Sequence, residues 1–343
     1  MEEKTTTSLN LLIIFFLSYS FYVIQILTQE LFYSYSKQSV IIICLFQLLF
    51  PLITYVICKI INSNKINVSS KNNFLFSLIS SIYLIITAII CIVNITNIVV
   101  LYYYQQTSYI ILLIFLSLPI IYTLIKGDNI FFYLASVLLI IYILFKYAYL
   151  KNSSSIDYYV FNNIFKIEKD NILPIIIYSL PILIEPIILI SNRQHISNKI
   201  NTKFVLIFSI IIAIVGVITT LRQTWEFGNL LDKIRFPYLE SAKNIIAGKF
   251  FENIDFYYLL SIAASLYLRL SYTIITIKKS FSLNKIVSIT LLIALLVVSY
   301  IIQRSMDLYI FTIDKALIIT STCLLLCFIL LPFMIKRKVK ENV

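Results

Sequence analysis

Glycine is almost missing from this chain, with 4 in 343 residues, where an average protein of this length carries about 24 at ~7%. Folds that depend on tight glycine turns or on glycine-rich phosphate loops have little to build with. No phosphate-loop or nucleophile-elbow spacing is present. Charge is scarce as well, at 13% of residues, against about 25% in a soluble domain. There is one histidine, His195, set among Arg193, Asn198 and Lys199 as in a solvated loop. The 5 cysteines, at 44, 58, 91, 323 and 327, lie in or beside apolar runs. Cys323 and Cys327 are one helical turn apart, but no histidine or acid joins them, so they read as inert buried thiols, and no metal site is expected. The residues that replace these are apolar: 60% are hydrophobic, and the mean hydropathy is +0.93. A water-soluble core has no room for so much apolar surface, so lipid must be the solvent for most of the chain. That excludes a soluble enzyme, a nucleic-acid-binding domain and a disordered tail.

A membrane helix needs about 20 mostly apolar residues. Ten runs qualify: 9–29, 39–58, 74–101, 108–125, 129–149, 172–191, 204–221, 256–277, 286–302 and 316–335. The third is long and must tilt or project beyond the bilayer. The first has Glu2 and Glu3 before it and no small-residue cleavage site after it, unlike a removable signal peptide. Only Lys146, Glu185 and Arg269 are charged within these runs. Alternation of the loops puts 15 Lys/Arg and 4 acids on the side of both termini, and 11 of each on the other. The excess of basic residues, clearest at Lys59, Lys65 and Lys71 and in the tail at Lys336, Arg337, Lys338 and Lys340, places both termini in the cytoplasm. The net charge of +12 then reflects topology, with no nucleic-acid partner implied.

Two external connections are long, 150–171 and 222–255. In the second, Phe236, Leu239, Ala242, Ile245 and Ile246 recur at helical spacing with Glu240, Lys243 and Asn244 between them. This predicts a short amphipathic helix over 238–247, lying on the membrane surface or on the bundle, with Pro237 suited to its first turn. The stretch 235–255 reads RFPYLESAKNIIAGKFFENID. It resembles the spore germination permeases, the B subunits of nutrient-germinant receptors. In that family an Arg/Ser-Phe-Pro-x-Leu-Glu element precedes a Gly-x-Phe-Leu-Glu-Arg-Leu-Asp element just before the eighth helix. Arg235, Phe236, Pro237, Leu239 and Glu240 match the first element, and Gly248, Phe250, Glu252 and Asp255 match the second. Asn253 stands where the family usually has arginine, and the tryptophan common early in the eighth helix is replaced by Ser261, Ala263 and Ala264. The first span lacks the glycines usual where such transporters interrupt that helix.

The family is a branch of the amino acid/polyamine/organocation transporters. The resemblance therefore implies one all-α polytopic membrane domain over 1–343, with ten transmembrane helices in two inverted repeats of five, about 9–149 and 172–335. It also implies that the first span faces the sixth, and that the partners are a membrane-anchored A subunit and a C-subunit lipoprotein in the spore inner membrane. No cofactor is implied.

Glu185 is the most informative residue. It lies in the sixth span with prolines at 174, 181 and 186. A carboxylate at the centre of a membrane helix costs about 2.5–3.5 kcal/mol on insertion scales. Pro181 and Pro186 remove the helical donors of the carbonyls at 177 and 182, a defect tolerated at this depth where protein or a water-filled cavity replaces the bond. A proline-interrupted span opening the second repeat points to a substrate site. Glu185 is accordingly expected to hold a ligand ammonium or a proton; the alternative is pairing with another buried polar group for packing. Arg269 in the eighth span has three readings: it pairs with Glu185, it replaces a coupling sodium ion, or it snorkels to the cytoplasmic headgroups. Lys146, near the outer end of the fifth span, reads as snorkelling. Ser18 and Ser20 stand near the middle of the first span, where they bind a ligand carboxylate if the helix opens or bond neighbouring helices if it does not. Asn94, Thr96 and Asn97 share that ambiguity.

Three functions compete. A receptor subunit binds a small germinant, an amino acid by expectation, and relays occupancy as a population shift. A secondary amino acid or amine transporter uses the same cavity. A membrane enzyme of the polysaccharide-polymerase type would use Arg222, Glu226, Asp232 and Arg235 in an external cleft. The match at 235–255 argues for a protein that is not an enzyme, and a helix at 238–247 packed on the bundle would count further against a cleft.

Overall fold

The computed structural model describes residues 8–62, 70–102, 108–127, 134–135, 137–140, 142–143, 168–191, 199–243, 254–304 and 306–336. Among them there are helices and turns and no strand. The helices are α1 (Ser8–Tyr19), continued by a π-helical segment Ser20–Leu27, α2 (Thr28–Tyr35), α3 (Val40–Asn62), α4 (Ser70–Tyr102) and α5 (Tyr109–Lys126). Then follow α6 (Lys169–Ile184), continued by a 3₁₀ segment Glu185–Ile190, α7 (Thr202–Phe227), α8 (Pro237–Lys243), α9 (Ile254–Ser280), α10 (Lys285–Arg304) and α11 (Met306–Lys336).

Among the described residues, six segments are long and apolar enough to cross a membrane: Leu12–Asn62, Phe74–Val100, Tyr109–Lys126, Lys169–Ile190, Thr202–Phe227 and Lys285–Arg304. At 51 residues, the first far exceeds the roughly 20 that one crossing takes. It holds the first two spans predicted from sequence. Ser36 adopts a left-handed φ of 49° between them, and the rings of Tyr19 and Phe50 stack at 4.0 Å, so the chain doubles back at 36–39. The predicted fifth span, 129–149, and its Lys146 lie largely outside the described residues; its described positions are helical. α7 runs to Phe227, so Arg222 and Glu226 belong to the end of a helix and not to the loop predicted over 222–255. Apolar periodicity marks the bilayer thickness, whereas the hydrogen-bond ladder continues beyond it.

The outward faces are apolar: Phe115 is 68% exposed, Leu52 61% and Ile207 60%, as expected where lipid is the solvent. Two groups of helices meet at the centre. α3 packs against α6 and most extensively against α7; α4 packs against α9, α10 and α11. The α3–α7 seam is close because α7 presents Gly216. A Cβ there would stand 3.0 Å from Gln47 Cδ of α3. Gln47 in turn donates to Thr220 Oγ1 at 3.3 Å. At the far end of the seam, Asn62 donates to Ile200 O at 2.7 Å and accepts from Ile200 N at 2.9 Å. In the second group Thr96 donates to Gln303 Oε1, and Gln303 Nε2 donates to Asn97 Oδ1, each at 2.8 Å. Thr96 and Asn97 thus join α4 to α10, the packing alternative named from sequence.

α8 begins at Pro237, as predicted. Tyr238, Leu239 and Ser241 are fully buried and Phe236 nearly so, and the helix packs on α7 and α9. Residues 244–247 of the predicted helix lie outside the described residues.

Candidate functional site

The centre of the molecule holds a buried ion pair between Arg269 of α9 and Glu185, the first residue of the 3₁₀ segment after α6. Both side chains are fully buried. Arg269 Nη1 donates to Glu185 Oε1 and, at 3.1 Å, to Ser18 Oγ of α1. Nη2 donates to Thr87 Oγ1 of α4 at 2.6 Å, and Thr87 passes its own proton to Leu84 O at 3.1 Å. The guanidinium carbon stands 4.6 Å from the ring centre of Tyr22 and 5.9 Å from that of Tyr83. These two rings meet edge to face at 82°. An aromatic face attracts a guanidinium, most strongly where water is excluded. Four helical segments therefore converge on one cation.

Local sequence explains the geometry. Pro186 has no N–H, so Ile182 O loses its helical donor; Tyr19 OH supplies the replacement at 2.7 Å. α6 ends at Ile184, and the backbone tightens into a 3₁₀ turn that starts on the acid. The first span answers in the opposite sense. From Ser20 to Leu27 it widens to π pitch, and both the backbone N–H and the Oγ1 of Thr28 reach Val23 O. Such wide turns recur at functional positions in helices. The first span therefore does face the sixth.

Two donor or acceptor positions of the pair remain open. Glu185 Oε2 and Arg269 Nε are buried and have no hydrogen-bond partner among the described residues. A buried polar atom without a partner costs about 1–3 kcal/mol.

The sequence-predicted residues fare differently. Glu185, Arg269 and Ser18 come together, and Pro181 and Pro186 flank the change of pitch. Arg269 is fully buried, so it does not snorkel. Ser20 is not at the pair; its hydroxyl meets that of Tyr142. Phe236 and Leu239 of the family motif are buried, and Arg235 lies over the ring of Phe236 at 5.7 Å. Gly248 and Glu252 lie outside the described residues, as does the side chain of Asp255. Glu226 is 3.8 Å from Arg222 and accepts from Ser241 of α8, so this carboxylate fastens α8 to α7 instead of facing an open cleft. Thr87 and Tyr83 were not singled out from sequence. Their spacing of four residues puts them on one face of α4, but nothing in their identity sets them apart from the chain's many other hydroxyl residues.

No protein-family model and no curated protein sequence matches this chain. Solved structures do. A manganese transporter of Eremococcus coleocola, in a variant with a histidine replaced by alanine, superposes with a TM-score of 0.55 at 13% identity, covering 96% of this chain and 77% of that one. A glutamate-to-glutamine variant of the same transporter gives the same values. Its complex with an aromatic bis-isothiourea substituted compound gives 0.52 at 11%, covering 95% and 77%. The likeness shows an all-helical fold shared with that transporter.

Proposed function

We propose that this chain is a solute-binding subunit on a transporter fold: the membrane subunit of a spore nutrient-germinant receptor, with a small amino acid as its ligand. The observation that carries this is the buried Arg269–Glu185 pair with one free N–H and one free carboxylate oxygen. In a dry site net charge must be conserved. A bare cation or anion would leave an uncompensated charge of several kcal/mol. A zwitterion leaves none, because its ammonium meets Glu185, its carboxylate meets Arg269, and one ion pair becomes two. Charge-assisted hydrogen bonds contribute about 1.5–3 kcal/mol each. Ser18 and the ring of Tyr22 contact the same guanidinium.

A divalent metal cargo, as the name of the structural neighbour would suggest, fits poorly, because the Arg269 guanidinium already occupies the cationic position beside the carboxylate. The same tethered cation serves where a coupling sodium ion would otherwise be needed. The ten-span arrangement with two inverted repeats, cytoplasmic termini, residence in the spore inner membrane, and assembly with an A subunit and a C-subunit lipoprotein belong to this proposal. The matches at Arg235, Phe236, Pro237, Leu239 and Glu240 support them. A second reading, a secondary transporter of amino acids or amines, draws on the fold shared with the manganese transporter.

The test is ligand-dependent thermal stability of the purified full chain in nanodiscs, screened with the twenty amino acids one at a time. At least one is expected to raise Tm saturably, with Glu185→Gln weakening its apparent Kd at least tenfold. No shift with any of the twenty, or an unchanged Kd in Glu185→Gln, overturns the proposal. Uptake of the labelled hit into proteoliposomes separates the transporter from the receptor.

A further inference from the structure

On the first and sixth spans, the buried polar atoms without partners among the described residues lie on one side of the ion pair. The register of these spans is fixed twice, because Arg269 Nη1 touches both Ser18 and Glu185, and Tyr19 OH bonds Ile182 O. Towards the end where α2 finishes and α6 begins come Gln25 and Gln29, seven and eleven residues beyond Ser18. On the sixth span the corresponding residue is Ser179, six residues and about 9 Å of helical rise from Glu185. All three are buried, at 2%, 4% and 0% exposure. Both amide atoms of Gln25, Nε2 of Gln29 and Oγ of Ser179 lack a partner among the described residues. At the same end the rings of Tyr35 and Tyr178, both partly exposed, meet at 5.8 Å. Gln38 Oε1 also accepts from Asn171 Nδ2 at 3.0 Å there, which confirms that the two ends are adjacent.

In the other direction the same two spans at first offer only apolar residues. The first span reads Leu12 to Leu17 and the sixth Pro186 to Ile190, apolar throughout and buried wherever they touch the core.

We infer that the solute reaches the ion pair from one face only, along Gln29, Gln25 and Ser179, and that the path is closed by apolar packing beyond Glu185. Buried carboxamides and hydroxyls without partners persist where water or a ligand's polar groups satisfy them. Gln25 and Ser179 then form an outer subsite for an uncharged, hydrogen-bonding part of the ligand, one helical turn or two before its charged groups meet Arg269 and Glu185. The fold acts as a blind well, which binds and senses without passing solute through. This rests on the ion pair being the solute site and narrows the choice between receptor and transporter.

Cysteine accessibility tests it in the full-length chain. Gln25→Cys, Gln29→Cys and Ser179→Cys are compared with Leu17→Cys and Ile188→Cys on the opposite side of the pair. The reagent is trimethylammonium-ethyl methanethiosulfonate, applied to oriented membrane vesicles from either face, with modified sites located by mass spectrometry. The three outer cysteines are expected to react at least tenfold faster than the two inner ones, from a single face, and the native thiols give the baseline. Where replacing Gln25 impairs folding, Ser179→Cys and Gln29→Cys carry the test. Silence at all the outer positions that fold, or fast reaction at Leu17→Cys or Ile188→Cys from the opposite face, overturns the inference. Reactivity does not depend on which ligand binds. An open outer path with an unchanged ligand response in Glu185→Gln would therefore leave the well intact and defeat only the assignment of the ion pair.

Discussion

Replacing either member of the Arg269–Glu185 pair leaves a bare charge in a dry site, whereas replacing both leaves none. Arg269→Met removes three donated hydrogen bonds, to Glu185, Ser18 and Thr87, and strands the carboxylate. Glu185→Leu strands a guanidinium whose remaining partners are two hydroxyls and the faces of Tyr22 and Tyr83. Breaking a buried pair from one side costs about 3–5 kcal/mol, while exchanging the whole pair for apolar residues of similar volume is often neutral or stabilising. At this chain length, about 2.1 cal/mol/K of unfolding entropy per residue converts 1 kcal/mol into about 1–2 °C of Tm. Each single variant is thus expected to melt about 4–8 °C lower, and the double variant within about 2 °C of the parent. The assay is fluorescence-detected size-exclusion chromatography after a fixed heating step, because membrane-protein melting is irreversible and depends on scan rate. The double variant should also lose all amino-acid response while remaining monodisperse, which separates the pair's structural role from its binding role. A double variant destabilised by the sum of the two singles, or either single variant melting with the parent, would refute the ion-pair reasoning.

Three further outcomes follow from contacts elsewhere. Gly216→Ala puts a Cβ 3.0 Å from Gln47 Cδ, and overpacking of this kind costs about 1–3 kcal/mol; its Tm should fall and recover in part when Gln47→Ala is added. Tyr19→Phe leaves the Ile182 carbonyl without a donor beside Pro186, at about 1–3 kcal/mol, and should lower Tm where Tyr272→Phe, away from that carbonyl, does so less. Membrane-impermeant labelling of Asn64→Cys and Asn244→Cys in intact cells should mark only the second, and the reverse result refutes cytoplasmic termini.

Sequence reasoning works well here where lipid makes polarity expensive. Glu185 and Arg269 stood out because an ionised group in a 20-residue apolar run demands a partner, and the structure supplies each as the other's. Pro186 disclosed a free carbonyl by chemistry alone, although which side chain would reach it, Tyr19, depends on tertiary register. Ser18 and Ser20 were equivalent on paper. Two residues on a helix point to nearly opposite sides, and only packing decides that Ser18 meets the guanidinium while Ser20 meets Tyr142. Thr87 and Tyr83 were illegible because a buried threonine that bonds its own helix and one tyrosine among 25 look the same wherever they stand. The double crossing inside Leu12–Asn62 was legible from length, but its left-handed turn at Ser36 was not, since serine carries no signal for positive φ.

The shortage of glycine bears directly on the kind of site this chain builds. A helix interrupted at membrane depth by glycine can unwind and turn its backbone carbonyls and amides towards a ligand or a cation. The first span here has no glycine, and it stays wound. It shifts to π pitch at Ser20, while the sixth span shifts to 3₁₀ pitch at Glu185. At Ile182, the carbonyl that Pro186 leaves without a helical donor receives a side-chain donor from the facing helix. The backbone is therefore committed, and recognition falls to side chains. Those side chains are one acid, one base and a few hydroxyls. A site of this composition needs no external cation to hold its two spans together. On the proposed function the internal pair exchanges for a neutral zwitterion, and the first and sixth spans offer it only apolar packing just beyond Glu185.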